Sequence, residues 1–293
     1  MKIAIYGREF NENFNEAIYK IFEKLNKHKA IILVNKQFLE FIQKNLFYQP
    51  QISGTFSDIN ELETSVNMIF SIGGDGTFLE SILYAKPHNI PIVGINTGRL
   101  GFLAYISKTE IGNAIDELFQ NEFSIESRTV LSLHMDDNPF SPDNYALNEI
   151  TVMKRDTSSM ISIHVYINSE FLSTYWADGL IIATPTGSTA YSLSAGGPII
   201  VPGSGNFVIT PIAPHNLTIR PIVVSDNNVI KIIVESRSAS FLAALDYRHM
   251  AMEAPRQLIV QKSDFAVKMV KLNNSSFYNT LRNKLLWGAD KRN

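Results

Sequence analysis

An aspartate inside a glycine-rich turn is the residue of this chain with the clearest chemical potential. The segment Gly73-Gly74-Asp75-Gly76-Thr77 follows an apolar run over Val66–Ile72 and precedes a helical pattern. Such an apolar run is typical of a buried parallel strand. A glycine turn between a strand and a helix lets backbone N–H groups approach a phosphate, and the helix N-terminus adds partial positive charge.

Asp75 is unexpected in a turn that only binds anions, because its carboxylate would repel them. Two interpretations therefore stay open. Either Asp75 accepts a proton or binds a metal beside the phosphates, or it caps the following helix, which aspartate does well.

A longer block of special residues runs from Asp178 to Pro198. Within it a strand ends in the turn Thr184-Pro185-Thr186-Gly187-Ser188-Thr189, and a short helix is predicted over Thr189–Leu193. Small hydroxyl side chains and the aromatic ring of Tyr191 suit a nucleotide. The alternative is an ordinary Ser/Thr turn that caps a helix.

An adjacent amide and carboxylate, Asn148 and Glu149, open an apolar strand. The pair could bind a vicinal diol, because Glu accepts from both hydroxyl groups while Asn donates or accepts. Strand ends are also commonly polar, in which case the pair is simply solvated.

Length and composition indicate a globular chain of about two domains. The chain has 293 residues, 45% hydrophobic and 18% charged, with a formal net charge of −2. This balance gives no electrostatic reason to expect a nucleic acid or a membrane surface as partner. Six scattered histidines and no cysteine give no metal-ligand spacing. No apolar run approaches about 20 residues and no signal peptide is evident, so a cytoplasmic protein is expected.

The first third of the chain alternates strand and helix patterns, which predicts a parallel sheet with helices on its faces. The predicted strands are Lys2–Tyr6, Ala30–Val34, Val66–Ile72 and Pro91–Ile95, and the predicted helices are Asn13–Asn26, Phe38–Leu46, Leu79–Ala85 and Glu110–Gln120. Ligands of such sheets bind beyond the carboxyl ends of the strands, where Asp75 and the turn Asn96–Phe102 both fall.

After Phe123 the pattern changes to short β-branched segments separated by Gly, Pro, Asn and Asp. The predicted strands are Ser124–Met135, Leu147–Met153, Ile161–Ile167, Gly179–Ala183, Phe207–Ile212, Val229–Val234, Phe241–Leu245, Gln257–Gln261 and Ala266–Val270. We therefore expect an α/β domain over residues 1–122, followed by a mostly antiparallel β domain over residues 123–271. A last helix over Ser276–Trp287 is expected to pack back on the first domain, so that residues 272–293 return to it.

Three blocks of the chain, Gly73–Thr77, Asn148-Glu149 and Asp178–Pro198, resemble the NAD kinase family in order and spacing. The stretches Asn96–Phe102, Pro214–Pro221 and Phe277–Trp287 also resemble family segments. The Gly-Gly-Asp-Gly turn alone is shared with diacylglycerol-type lipid kinases and phosphofructokinases, whereas the later blocks are not.

The resemblance implies transfer of the terminal phosphoryl group of ATP, or of inorganic polyphosphate, to the 2′-hydroxyl of the adenosine ribose of NAD, which gives NADP. It implies that Asp75 is the general base and that Mg²⁺ is carried by the phosphates. It further implies self-association, usually as a homotetramer. Phosphoryl transfer leaves little covalent work to the protein, so positioning, a metal ion and one base suffice.

The resemblance also implies which residues contact each substrate. The residues expected to bind NAD are Asp75, Gly76, Phe102, Asn148, Glu149, Trp176, Asp178, Thr189, Ala190, Tyr191, Ser194 and Asp246. Among them, Phe102 is expected beside the adenine, Asp178 at the nicotinamide side, and Asp246 is expected to come from a neighbouring subunit. The residues expected at the donor phosphates are Gly73, Gly74, Gly76, Thr77 and Arg99, because the chain has no Walker-type loop.

Trp176 stands where some family members have an arginine that bears on the choice between NAD and NADH. Because tryptophan is uncharged and its ring attracts cations, a modest preference for the oxidised nicotinamide is expected, and the negative charge of Asp178, close in sequence, would favour the same cationic ring. The alternative is that Trp176 only packs between subunits. Two other classes of protein remain alternatives at this point. They are a non-catalytic sensor of pyridine nucleotides, in which Asp75 only caps a helix, and a lipid kinase.

Overall fold

A computed structural model describes residues 1–62, 64–155, 159–273 and 275–288 of the chain. The chain divides into a first unit, Met1–Ser127 with Val267–Asn293, and a second unit, Arg128–Ala266. Of the segment predicted to return to the first domain, residues 274 and 289–293 lie outside the described residues.

The described part of the chain contains more strands than helices. The strands are β1 (Lys2–Gly7), β2 (Ile31–Asn35), β3 (Gly54–Phe56), β4 (Met68–Gly73), β5 (Ile92–Asn96), β6 (Phe123–Arg128), β7 (Leu131–His134), β8 (Tyr145–Ala146), β9 (Glu149–Lys154), β10 (Ile161–Ile167), β11 (Glu170–Ala177), β12 (Gly179–Ala183), β13 (Asn206–Ile212), β14 (Ile222–Ser225), β15 (Ile230–Glu235), β16 (Ser240–Leu245), β17 (Arg248–Glu253), β18 (Arg256–Lys262) and β19 (Val267–Leu272). The α-helices are α1 (Asn15–Lys27), α2 (Lys36–Leu46), α3 (Asp75–Ala85), α4 (Ile111–Phe119), α5 (Tyr191–Ser194) and α6 (Phe277–Leu285).

The first unit is built on a seven-stranded sheet in the order β3-β2-β1-β4-β5-β19-β6. The pairs from β3 to β19 in this order are parallel. Helix α1 buries Ile18, Phe22 and Leu25, which recur every three or four residues and so form one apolar face against the sheet. Every residue of β4 is buried, as a strand with helices packed on its sheet requires. The predicted α/β class is confirmed.

The second unit contains two antiparallel six-stranded sheets. Their strand orders are β11-β10-β15-β18-β7-β8 and β14-β13-β12-β9-β16-β17. Ile163 from the first of these sheets and Leu180 from the second belong to the same buried apolar cluster, so the two sheets share one core. The predicted mostly antiparallel β architecture is confirmed.

Two predicted strands differ from the structure in where they pair. The predicted strand Ser124–Met135 is two strands, of which β6 joins the sheet of the first unit while β7 joins the second unit. The predicted strand Ala266–Val270 corresponds to β19, which also joins the sheet of the first unit, where Met269 pairs with Ile92. Local alternation of apolar residues predicts that a segment is a strand. It does not predict which distant strand the segment pairs with.

Helix α6 spans the middle of its predicted range, and α3 begins at Asp75 rather than at Leu79. In the part of the chain that the structure describes, no helix combines the length and the apolar character needed to cross a membrane.

Candidate active site

The glycine turn leads from β4, which ends at Gly73, to α3, which begins at Asp75. A Cβ atom on Gly73 would lie 2.1 Å from Oγ1 of Thr77, so the turn closes tightly only with glycine there. At Gly74 and Gly76, in contrast, no atom of the described residues lies within 4 Å of an added Cβ, apart from the adjacent residues and the backbone of α3. The backbone at these two glycines is therefore open to an approaching ligand.

The Asp75 side chain does not cap its own helix. Gly74 is the N-cap residue of α3, and it makes no side-chain cap hydrogen bond. Instead, Oδ2 of Asp75 accepts from the N–H of Phe102 at 2.9 Å, and Oδ1 accepts from the N–H groups of Leu103 and Ala104, both at 2.9 Å. The helix-cap interpretation of Asp75 is wrong.

Gly101 allows this contact, although the sequence analysis gave it no role of its own. A Cβ atom on Gly101 would lie 1.9 Å from Oδ1 of Asp75. The carboxylate can therefore lie against the backbone at residues 101–104 only because residue 101 has no side chain. In the sequence, the glycine directly before Phe102 in the Asn96–Phe102 turn is the feature that could have indicated this close approach.

Lys284, which the sequence analysis also missed, is the cation next to Asp75. Its Nζ lies 3.5 Å from Oδ2 of Asp75 and 4.5 Å from the centroid of the Phe102 ring. The Phe102 ring also packs against Phe277, with ring centroids 6.1 Å apart. Arg99, the cation expected from the sequence, is exposed, and its guanidinium makes no hydrogen bond or ion pair among the described residues.

In the second unit the structure brings together two predicted blocks, Asn148-Glu149 and the turn that begins at Thr184. The N–H of Thr184 donates to the carbonyl of Asn148 at 2.9 Å, and its hydroxyl donates to the carbonyl of Leu147 at 2.6 Å. A Cβ atom on Gly187 would lie only 2.0 Å from the Asn148 carbonyl oxygen. Glycine at 187 thus permits the close approach of the two segments.

Asp246 lies against the backbone of the Asn148-Glu149 segment. It follows β16 with a φ of 53°, a left-handed conformation that aspartate tolerates in a turn. Its Oδ2 accepts from the N–H of Leu147 at 2.9 Å, and its Oδ1 accepts from those of Asn148 at 2.8 Å and Glu149 at 3.2 Å. Both oxygens thus accept from the backbone of residues 147–149, and the contribution of Asp246 to a neighbouring subunit stays a prediction.

Glu149 is a buried carboxyl group with an incomplete set of partners. Its side-chain atom Oε2 is buried and has no hydrogen-bond partner among the described residues. Burial, reinforced by the nearby charge of Asp246, raises the pKa of Glu149 to about 8. Asn148, beside it, is half-buried, and its side chain makes no hydrogen bond in the described structure. This pair is available to a polar ligand.

The predicted nucleotide-binding turn forms a 3₁₀ turn over Gly187–Thr189 followed by α5. The hydroxyl of Thr189 donates to the carbonyl of Thr186 at 3.1 Å, which leaves its lone pairs accessible, and Ala190 is half-buried beside it. Tyr191 and Ser194 are exposed on α5. An exposed ring beside small polar groups can stack on a base.

Asp178 and Trp176 lie at the junction of β11 and β12. Oδ1 of Asp178 forms an ion pair with Nζ of Lys154 at 2.7 Å, a partner that the sequence analysis did not identify. Trp176 is 47% exposed, and its ring lies 4.6 Å from that of His215, centroid to centroid. Lys154 offsets the negative charge that was expected to act on a nicotinamide ring.

Both parts of the chain match known domains. Residues 15–123 match the ATP-NAD kinase N-terminal domain, and residues 147–272 match the ATP-NAD kinase C-terminal domain. The NAD kinase of Bacteroides fragilis is 47% identical over the full length of both chains, and that of Christiangramia forsetii is 44% identical, also over both full lengths. The chain belongs to the NAD kinase family.

Two solved structures of NAD kinase relatives have the same architecture. An NAD kinase from Archaeoglobus fulgidus in complex with ATP superposes with a TM-score of 0.74, at 27% identity, covering 98% of this chain and 99% of that one. Yeast NADH kinase complexed with NADH gives a TM-score of 0.87 at 23% identity, covering 99% of this chain and 89% of that one, a likeness of fold.

Membership of the NAD kinase family decides between the alternatives that the sequence left open. The chain is an enzyme, a kinase, rather than a non-catalytic nucleotide sensor. Because the matches run over both domains, it is also not a lipid kinase that shares only the glycine turn.

Proposed function

We propose that this enzyme transfers the terminal phosphoryl group of ATP to the 2′-hydroxyl of the adenosine ribose of NAD, with Asp75 as the general base. The observation that carries this proposal is the placement of the Asp75 carboxylate. Three backbone N–H groups fix it beside a turn whose glycines 74 and 76 leave open space. A carboxylate in such a position can accept a proton from a bound hydroxyl group.

In this reaction the 2′-oxygen forms a bond to the γ-phosphorus while the bond from that phosphorus to the β,γ-bridging oxygen breaks. The bonding electrons leave with ADP, and the hydroxyl proton moves to Asp75. Two of the three N–H donors act on Oδ1 and one acts on Oδ2. A carboxylate has about four lone-pair positions, so the fourth position, on Oδ2, is the one that would take this proton, and it is shared with Nζ of Lys284, 3.5 Å away.

Among the described residues, no group of three or more His, Asp or Glu side chains could hold a metal ion. The open glycine turn beside one carboxylate fits an ion that arrives bound to phosphate oxygens. We propose Mg²⁺ as that ion, which would neutralise the charge that develops on the donor. Gly73, Gly74, Gly76 and Thr77 would then orient the phosphates, with Arg99 near enough in sequence to contribute charge.

For the dinucleotide, we propose that Asn148 and Glu149 bind ribose hydroxyl groups and that Tyr191 stacks on the adenosine. Thr189, Ala190 and Ser194 would line the adenosine site, and Phe102 would contact the adenine. Asp178 and Trp176 would face the nicotinamide. The exposed ring of Tyr191 and the unpartnered Oε2 of Glu149 support this assignment.

The test is an activity assay on the purified full chain with NAD, Mg²⁺ and either ATP or polyphosphate, with NADP measured by an NADP-specific dehydrogenase. We expect NADP to form with ATP, and the polyphosphate arm reports the breadth of donor use. NAD that lacks the 2′-hydroxyl is the matched control and should give no product. Binding of both NAD and ATP without any NADP would overturn the proposal.

We also propose that the enzyme is a cytoplasmic homotetramer. Exposed apolar side chains support self-association, since Ile222 and Val223 are 37% and 45% exposed on β14, an edge strand. Sedimentation equilibrium should give four times the chain mass of 32.9 kDa. A monomer at micromolar concentration would contradict this.

A further inference from the structure

Helix α6 contacts Phe102 at two places on one of its faces. Phe277, at the start of the helix, packs on the Phe102 ring at 6.1 Å between centroids. Lys284, in the last turn, places Nζ 4.5 Å from the centroid of the same ring. The two residues are about two helical turns apart, a spacing that brings both to one face. This face brings the ammonium group of Lys284 to Asp75.

The contact of Lys284 is with the reactive oxygen of Asp75. Oδ1 already accepts from two N–H groups, those of Leu103 and Ala104, whereas Oδ2 accepts from one, that of Phe102. The remaining acceptor position is therefore on Oδ2. Nζ of Lys284 lies 3.5 Å from this oxygen.

The ion pair contributes little to folding. The side chains of Lys284 and Asp75 are 32% and 30% exposed, and ion pairs at such exposure contribute little to stability, many of them nothing measurable. Packing of α6 depends instead on apolar contacts such as those of Phe277 and the buried Leu281. Lys284 therefore contributes little to folding, and its contact with Oδ2 of Asp75 points to a role in the reaction.

We infer that Lys284 is a positioning residue, which directs Oδ2 of Asp75 toward the substrate hydroxyl while its ammonium group lies over the Phe102 ring. This inference deepens the proposed function and rests on it, since it takes Asp75 as the general base. A positioning role predicts that loss of the charge slows the chemical step, because even small misplacement of a catalytic group costs up to about 100-fold in rate. It does not predict weaker substrate binding.

The experiment compares four variants of the full chain with the wild type. Lys284→Met removes the charge but keeps an unbranched side chain, and we expect kcat to fall about 10- to 100-fold with both KM values within about threefold. Lys284→Arg restores the charge and should recover most of the rate. Lys44→Met is the matched control, because Lys44 is exposed in the last turn of α2 and forms no ion pair among the described residues. Lys284→Gln provides a second charge-removing variant if Lys284→Met fails to fold.

A higher KM for ATP with unchanged kcat would assign Lys284 to phosphate binding and overturn the inference, as would kinetics unchanged from the wild type. The Asp75→Asn background separates this inference from the proposed function. If Lys284 acts through Asp75, adding Lys284→Met to Asp75→Asn should cause no further loss of rate. A further loss in that background would overturn the positioning role, whereas wild-type turnover of Asp75→Asn alone would overturn the proposed function.

Discussion

Two aspartates, Asp75 in the first unit and Asp246 in the second, each accept hydrogen bonds from three consecutive backbone N–H groups. They differ in what lies beside the remaining acceptor position. Asp75 has the ammonium group of Lys284 there, and its side chain is 30% exposed. Asp246 has the buried carboxyl group of Glu149 nearby, and burial raises the pKa of Asp246 although the backbone donors lower it.

The comparison shows that three N–H donors fix a carboxylate without deciding its use. An accessible acceptor position suits proton transfer. Asp246 is instead a buried carboxylate whose hydrogen bonds hold the backbone segment that donates them. In the second unit that backbone is residues 147–149, which include the proposed dinucleotide-binding pair.

The largest effect that separates the two aspartates is expected from Asp75→Asn. Asparagine keeps the size of the side chain and one acceptor oxygen but accepts protons poorly, so kcat should fall about 10²–10⁴-fold, the usual contribution of a positioned base. Steady-state kinetics with NAD and ATP measure this loss, and calorimetry should show NAD binding close to that of the wild type. Turnover near that of the wild type would contradict the assignment.

Asp246→Asn should act on stability instead. The asparagine NH₂ group would face N–H donors at residues 147–149, and loss of hydrogen bonds to a charged acceptor should lower the free energy of unfolding by about 3 kcal/mol. Urea denaturation measures this change. Asp75→Asn is the matched control, with an expected loss of about 1 kcal/mol, because the Asp75 side chain is 30% exposed and water offsets part of the lost hydrogen bonding. Equal losses in both variants would remove the distinction.

The carboxyl group beside Asp246 should make stability depend on pH. Burial and Asp246 raise the pKa of Glu149 from 4.5 in the unfolded chain to about 8. A raised pKa means that the folded state binds the proton more tightly, so this stabilisation is complete below about pH 4.5 and is lost as the pH rises through 8. Between pH 6 and pH 8, the wild type should lose about 2 kcal/mol relative to Glu149→Gln.

Urea denaturation of both proteins at the two pH values checks this prediction. Glu149→Gln removes the titration while keeping the shape of the side chain, so the difference between the proteins isolates Glu149. A constant difference between pH 6 and pH 8 would show that Glu149 is ionised throughout and that its burial is compensated in another way.

The smallest effect is expected at Trp176. If its exposed ring meets the cationic nicotinamide, Trp176→Ala should lower the ratio of kcat/KM for NAD to that for NADH by about threefold, from a cation–π energy of about 0.5–1 kcal/mol. The ion pair of Asp178 with Lys154 keeps other charge effects small. Trp287→Ala, at the other exposed tryptophan, is the control. A wild-type preference for NADH would contradict the electrostatic argument.

The fold class could be predicted from the sequence because central strands such as β4 and β12 are buried throughout and mostly apolar. The strands that the sequence did not predict share one property: each is at an edge of its sheet. They are β3, β8, β11, β14 and β17. An edge strand packs on fewer neighbours and tolerates polar and exposed residues, so its apolar alternation is weak.

The candidate site could be predicted as residue types but not as contacts. Asp75, Asn148 and Glu149 stand out within short motifs. The partners that define their chemistry are distant in sequence: Lys284 reaches Asp75 across 209 positions, and Asp246 reaches Leu147 across 99. Only the tertiary structure brings such residues together. The sequence around Asp246 does not indicate which backbone N–H groups will donate to its side chain.

The central claim is that the Asp75 carboxylate accepts the proton of the 2′-hydroxyl, and chemical rescue tests it most directly. Asp75→Gly would leave the N–H groups of residues 102–104 without their acceptor, in a space that suits a small carboxylate. We predict that formate restores turnover of Asp75→Gly in a saturable manner, while chloride at equal ionic strength does not. The melting temperature of the variant should rise over the same formate range. Formate that raises the melting temperature but leaves turnover unchanged would contradict the account.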